Sequence, residues 1–166
     1  MTRLERALRT DLALTERQVR HHYGLEIPDC LERGLSVLEL ELAPTTSSTQ
    51  KRPVRIVTLE PIERFDFEWR HLVGVAEMRH QLGANAEDWQ GLNHAAQTAP
   101  DAVWQRGLET WAIEFDAGSY SRAVVAQKVL HFRAAYDQQL WAIASEARAR
   151  TLTPLLEAVL LVVAPF

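Results

Sequence analysis

Apolar and polar residues alternate with a period of two along Val37-Leu38-Glu39-Leu40-Glu41-Leu42, and again along Val54-Arg55-Ile56-Val57-Thr58-Leu59. That is the spacing of strands with one buried face. The polar residues 43–52 between them predict a hairpin with a Ser/Thr/Lys/Arg tip. Three short helices are expected ahead of it. The first covers residues 2–8. The second opens at Thr15, an N-cap with Gln18 at the capping-box position, and stops at Gly24. The third starts at Ile27-Pro28-Asp29, where proline suits a first helical turn, and ends at Gly34. Three helices and a hairpin are the order of a winged helix, in which a helix enters the DNA groove and the loop touches the backbone. The same pieces also suit an interaction domain that never meets DNA, a reading favoured by Asp29 and Glu32 on the third helix.

Beyond residue 61 the pattern changes. Trp69, Leu72, Val73 and Ala76 form a helical stripe that predicts a helix over 68–82. Strands are expected at 88–96, 101–104 and 110–115, then a helix over 121–136 capped by Ser119 or Ser121. A strand at 139–144, a helix at 146–157 and a last apolar strand at 159–163 complete the chain. This order predicts a mixed α/β sandwich. All five Trp and all five Phe lie beyond residue 64, so the large aromatic core, including Trp89, Trp104, Trp111 and Trp141, belongs to a second unit. The expected division is residues 1–61 and 62–166.

Composition narrows the compartment and the partners. The 166 residues are 47% apolar and 24% charged, a folded profile with room for one ordinary domain or two small ones. The longest apolar run, 158–166, is about half a membrane span. Residues 1–14 are too charged for a secretory signal. Cys30 is the only cysteine, which excludes an intrachain disulfide and a Cys-based zinc site and fits the cytoplasm. The net charge of −4 gives no overall attraction to nucleic acid. Its distribution matters more: residues 1–60 carry nine basic and nine acidic side chains, residues 61–166 nine and thirteen. The first unit is therefore the better phosphate-contacting candidate, through Arg17, Arg20, His21 and His22 on the second helix and Lys51 and Arg52 on the loop.

Three positions in the second unit break its apolar pattern. Alternation along 111–116 puts Glu114 and Asp116 on one face of a strand, opposite Trp111, Ile113 and Phe115. Lys128, one of only two lysines, falls among Val125, Val129 and Phe132 at helical spacing. Asp101, after Pro100, reaches the same sheet end if the strands form a hairpin. Buried together, the acids require a cation or a proton. At a frayed edge they would be solvated, with Lys128 snorkelling to water. Other chemistry fares worse. His71 and His80 lie on opposite faces of one helix, and neither a nucleophile elbow nor a Gly-rich phosphate loop is present.

The ordered set Arg70-His71-Leu-Val-Gly-Val-Ala-Glu77, Pro100-Asp101, Ile113-Glu114-Phe-Asp116, Lys128-Val-Leu-His-Phe and Tyr136 resembles the replication-relaxation family, over about residues 15–145. The resemblance implies a winged helix followed by a divergent restriction-endonuclease-like domain of the PD-(D/E)XK type. It also implies a DNA-cleaving site in which Glu77, Asp101 and Glu114 surround Mg²⁺ or Mn²⁺, with Asp101 and Glu114 as direct ligands. The lysine that normally follows the Glu by two residues is replaced by Asp116. Lys128 either reaches back to take that role or neutralises the acids of a dead site.

The leading expectation is a DNA-binding protein of plasmid or mobile-element replication or mobilisation, with a divergent or inactive nuclease-like domain. An active Mg²⁺- or Mn²⁺-dependent nickase using Glu77, Asp101, Glu114, Asp116 and Lys128 is the alternative, and a protein-interaction module the third. DNA is the expected partner, a replication or relaxase protein a further one, and homodimerisation the default for a small DNA binder.

Overall fold

The computed structural model describes residues 1–43, 48–92, 98–156 and 159–163. Its first half holds three helices, α1 (Arg3–Asp11), α2 (Glu16–Tyr23) and α3 (Ile27–Glu32), and three strands, β1 (Leu14–Thr15), β2 (Ser36–Leu42) and β3 (Arg52–Thr58). Local chemistry sets the boundaries. Thr2 with Glu5 and Thr15 with Gln18 form reciprocal capping boxes, and Gly24 closes α2 in the left-handed region at φ 64°. The hairpin β2–β3 pairs antiparallel, and β1 adds to β3, giving the order β1-β3-β2. The pattern along the chain predicts the hairpin and all three helices. It does not reveal β1, which is two residues long and overlaps the cap of α2. The hairpin tip, residues 44–47, lies outside the described residues.

The second half is built on a five-stranded sheet, β4 (Trp89–Gly91), β5 (Ala102–Arg106), β6 (Glu109–Asp116), β7 (Gln138–Ile143) and β8 (Val159–Val162), in chain order. β4, β5 and β6 run antiparallel, while β7 and β8 continue parallel to β6. The parallel pairs require crossovers, supplied by α5 (Arg122–Ala135), capped by Ser121, and α6 (Glu146–Leu152). Two expected elements are shorter than their pattern. The strand expected at 88–96 is only Trp89–Gly91, with 93–97 outside the described residues. The helix expected over 146–157 stops at Leu152 and tightens into a 3-10 turn around Pro154; Glu157 is outside the described residues.

Helix α4 (Asp66–Gln81) lies between the two sheets. Trp69 and Val73 pack with Ala13, Leu42 and Ile56, and Ala76 with Leu4, Leu8 and Val57; Met78 joins Ile113 and Phe115 of the second sheet. Gly74 permits the approach, because a Cβ there would stand 2.4 Å from the Phe115 ring. The opposite face of the second sheet packs Ala112, Trp141 and Ile143 against Val125, Val129 and Phe132 of α5 and Ala149 and Leu152 of α6. β6 is thus covered on both faces from Ala112 to Asp116, which decides the environment of the side chains there. Among the described residues no helix is long and apolar enough to cross a membrane.

Candidate nucleic-acid interface and buried ionic cluster

The two inward acids of β6 are fully buried rather than solvated at an edge: Glu114 and Asp116 are each 0% exposed. Each meets a cation from a crossover helix. Lys128 of α5 donates to Glu114 Oε1 at 2.8 Å and to the Ala99 carbonyl at 2.9 Å. Its ammonium also lies 5.3 Å from the Tyr120 ring centre and 5.4 Å from that of Phe132. Arg148 of α6 grips Asp116 Oδ2 through Nε at 2.9 Å and Nη2 at 2.7 Å, while the Gly118 amide donates to Oδ1 at 2.6 Å.

Asp101 stands at the start of β5, 4% exposed. The Phe115 amide donates to its Oδ2 at 2.6 Å, and His71 Nε2 of α4 lies 2.5 Å from its Oδ1. Burial pushes the Glu114 carboxyl well above the usual carboxylate range, and the nearby charge of Asp101 pushes the same way; Lys128 opposes both. The Tyr120 hydroxyl is itself raised, first by burial and then by the negative charge of Glu114.

Glu77 is not part of this group. It projects from the other side of α4, where it accepts hydrogen bonds from Gln18 Nε2 at 3.0 Å and Gln81 Nε2 at 3.1 Å, with His22 Nε2 3.3 Å away. Burial raises its pKa, but these three partners outweigh that and leave it lowered. Gln18 also donates to the Val73 carbonyl at 2.8 Å, so one glutamine ties α2 to α4 twice. His80 continues the seam: it stacks on His22 at 4.3 Å, meets the Ala76 carbonyl through Nδ1 at 2.7 Å and the Tyr23 hydroxyl through Nε2 at 2.6 Å. Burial lowers its pKa to about 4. A second tie is the buried pair of Arg79 and Asp11, with bonds of 2.7 and 2.5 Å.

The donor set bears on a divalent cation. Mg²⁺ takes carboxylate oxygens and water around an octahedron. Glu114 Oε1 is bonded to an ammonium while its buried Oε2 has no hydrogen-bond partner among the described residues; Asp101 is engaged by an imidazole and an amide, Asp116 by a guanidinium, and Glu77 faces away. Among the described residues no three His, Cys, Asp or Glu side chains are placed to hold a metal. As arranged, these side chains do not fit that ion.

The candidate DNA contacts lie on the surface of the first half. Arg17, Arg20 and His21 are exposed on α2, and His22 is half-buried. They line, with Glu77 and His80, a cleft of about 760 Å³. Arg20 reaches Glu26 at 2.9 Å and Glu16 at 3.2 Å, and Lys51 reaches Asp66 at 3.0 Å; Arg52 is exposed at the start of β3. These pairs are solvated, so each cation can exchange its partner for a phosphate at little cost.

Sequence reasoning missed Arg148, the partner of Asp116, and the Arg79–Asp11 pair. It noted His71 without its partner Asp101. Only the burial rule that a charge on an inward strand face needs an opposite charge could have prompted a search for Arg148. Comparison with curated proteins and with solved structures finds no match. The replication-relaxation family model does match, over residues 32–146, more than half of the chain and spanning the hairpin, α4 and every member of the ionic cluster but Arg148; the chain belongs to the replication-relaxation family.

Proposed function

We propose that this protein binds DNA in plasmid or mobile-element replication, through an N-terminal winged helix (residues 1–61), and that its C-terminal nuclease-like domain (residues 62–166) is a divergent, non-cleaving form. The observation that carries the non-cleaving reading is the pairing of both buried β6 acids with cations, Lys128 on Glu114 at 2.8 Å and Arg148 on Asp116 at 2.7 Å. Such a pair is a structural unit: releasing Glu114 to a metal would leave an ammonium buried beside it. The three-stranded order β1-β3-β2 beside three helices supports the winged helix. α4, three antiparallel strands, a crossover helix and a parallel strand support the nuclease-like relationship.

A second reading, Mg²⁺- or Mn²⁺-dependent nicking, draws on one observation: Asp101 and Glu114 are close enough for the charge of the first to raise the second, with Lys128 beside them. One experiment separates the two. The full chain is incubated with supercoiled plasmid and Mn²⁺, and binding is followed on the same plasmid by gel shift. The first reading predicts a shift without nicking. Nicking that disappears in Glu114→Gln overturns it in favour of the second, and absence of any shift overturns both.

A further inference from the structure

The C-terminal turn of α1, one side of α4 and the edge strand β4 enclose a cleft of about 550 Å³, separate from the α2 surface. Leu72, Val75 and Trp89 form its apolar wall, Arg9 and Arg64 stand at its rim, and His71 is its inner polar group. Of the ionic cluster, only the His71–Asp101 end opens here; Glu114 and Lys128 do not line it. The His71 side chain is 14% exposed and is oriented by Asp101. Most acids around the cleft are already answered. Asp11 takes both bonds of Arg79, and Glu68 accepts from Arg64 at 3.3 Å and from the Phe65 amide at 2.9 Å. Arg9 has no ion-pair partner among the described residues and is exposed in the last turn of α1.

We propose that this cleft takes one unpaired nucleotide, with its phosphate on Arg9 and His71 and its base against Leu72, Val75 and Trp89. A guanidinium and an oriented imidazole beside an apolar wall supply what a nucleotide presents: charged acceptor oxygens at one end and a flat apolar ring at the other. The volume lies in the small-molecule range and excludes a duplex. A base in a DNA strand reaches it only when out of the stack. The source is then either a free nucleotide or an unpaired residue of a DNA strand, and the latter rests on the DNA-binding reading above.

The test uses the full chain, with calorimetry for deoxyadenosine monophosphate and for inorganic phosphate, and anisotropy for a blunt duplex and the same duplex with a single-stranded overhang. The nucleotide is expected to bind more tightly than phosphate. Arg9→Ala and His71→Gln are each expected to weaken it about tenfold, as loss of a charge-assisted hydrogen bond does, and Arg150→Ala, exposed on α6, to leave it unchanged. Arg9 is exposed on a helix, so its variant keeps the fold; circular dichroism checks His71→Gln. Overhang binding tighter than blunt identifies the strand as the source, and equal affinities with nucleotide binding identify the free nucleotide. No nucleotide binding with blunt-duplex binding intact overturns this inference alone. Nucleotide binding without any duplex binding overturns the DNA reading and leaves the cleft assignment standing. Phosphate binding as tightly as nucleotide overturns the base contact.

Discussion

The two halves of the molecule treat their charges in opposite ways. On the first, Arg20, Lys51 and Arg55 make ion pairs in which both side chains stand in water, 46–58% exposed on the cation side. On the second, Lys128 with Glu114 and Arg148 with Asp116 are matched in the interior, where both carboxylates are 0% exposed. Solvated pairs contribute little and exchange partners readily. Buried pairs are held because either partner alone would be a stranded charge. The first half therefore has solvated cations available for a polyanion, whereas Lys128 and Arg148 of the second are committed to buried acids.

Removing Lys128 should have the largest effect. Lys128→Met strands Glu114 and is expected to destabilise the protein by about 3–5 kcal/mol in denaturant unfolding, with much of that recovered when Glu114→Leu is added. A single variant as stable as wild type would erase the contrast. Arg148→Ala should follow at about 2–3 kcal/mol, less because Arg148 is 19% exposed and water can reach part of the site.

Acidification sharpens the comparison at the α2–α4 seam. His80 is held near pKa 4 against an ordinary 6.5, so the unfolded chain takes the proton first. Its contribution is present above pH about 6.5 and is lost as pH falls toward about 4. Lowered Glu77 loses its contribution as pH falls through its folded pKa, whereas raised Glu114 has the opposite sign and loses its contribution as pH rises through its folded pKa. Hydrogen exchange should accordingly show α2 opening before β6 on acidification, with the pH dependence reduced in His80→Phe. Simultaneous opening would show that the seam and the sheet are not distinct. The smallest effect on stability, within about 1 kcal/mol, is expected when Arg17, Arg20, Lys51 and Arg52 are all replaced by Ala.

Much of the fold is legible in the sequence because its signals are local. Thr15 with Gln18, Pro28 in a first turn, Gly24 and Ser121 mark helix ends through contacts within four residues. Period two marks the hairpin directly. The sites depend on longer-range facts. α4 is covered on both sides, so its apolar stripe does not say that Glu77 faces α2 while His71 faces the second sheet. Arg148 meets Asp116 across 32 residues and Arg79 meets Asp11 across 68, distances over which spacing carries no information. The inward placement of Lys128 is legible because Val125, Val129 and Phe132 frame it on one helix.

On this reading the duplex phosphate contacts belong to the first half, and the buried acids paired with Lys128 and Arg148 in the second are structural. Measuring duplex affinity against salt for wild type and the Arg17/Arg20/Lys51/Arg52 variant tests it most directly. Log affinity is expected to fall linearly with log salt for wild type, and the variant to bind more weakly with a slope shallower by up to about 0.9 per lost contact. Identical slopes and affinities for the two proteins would contradict it.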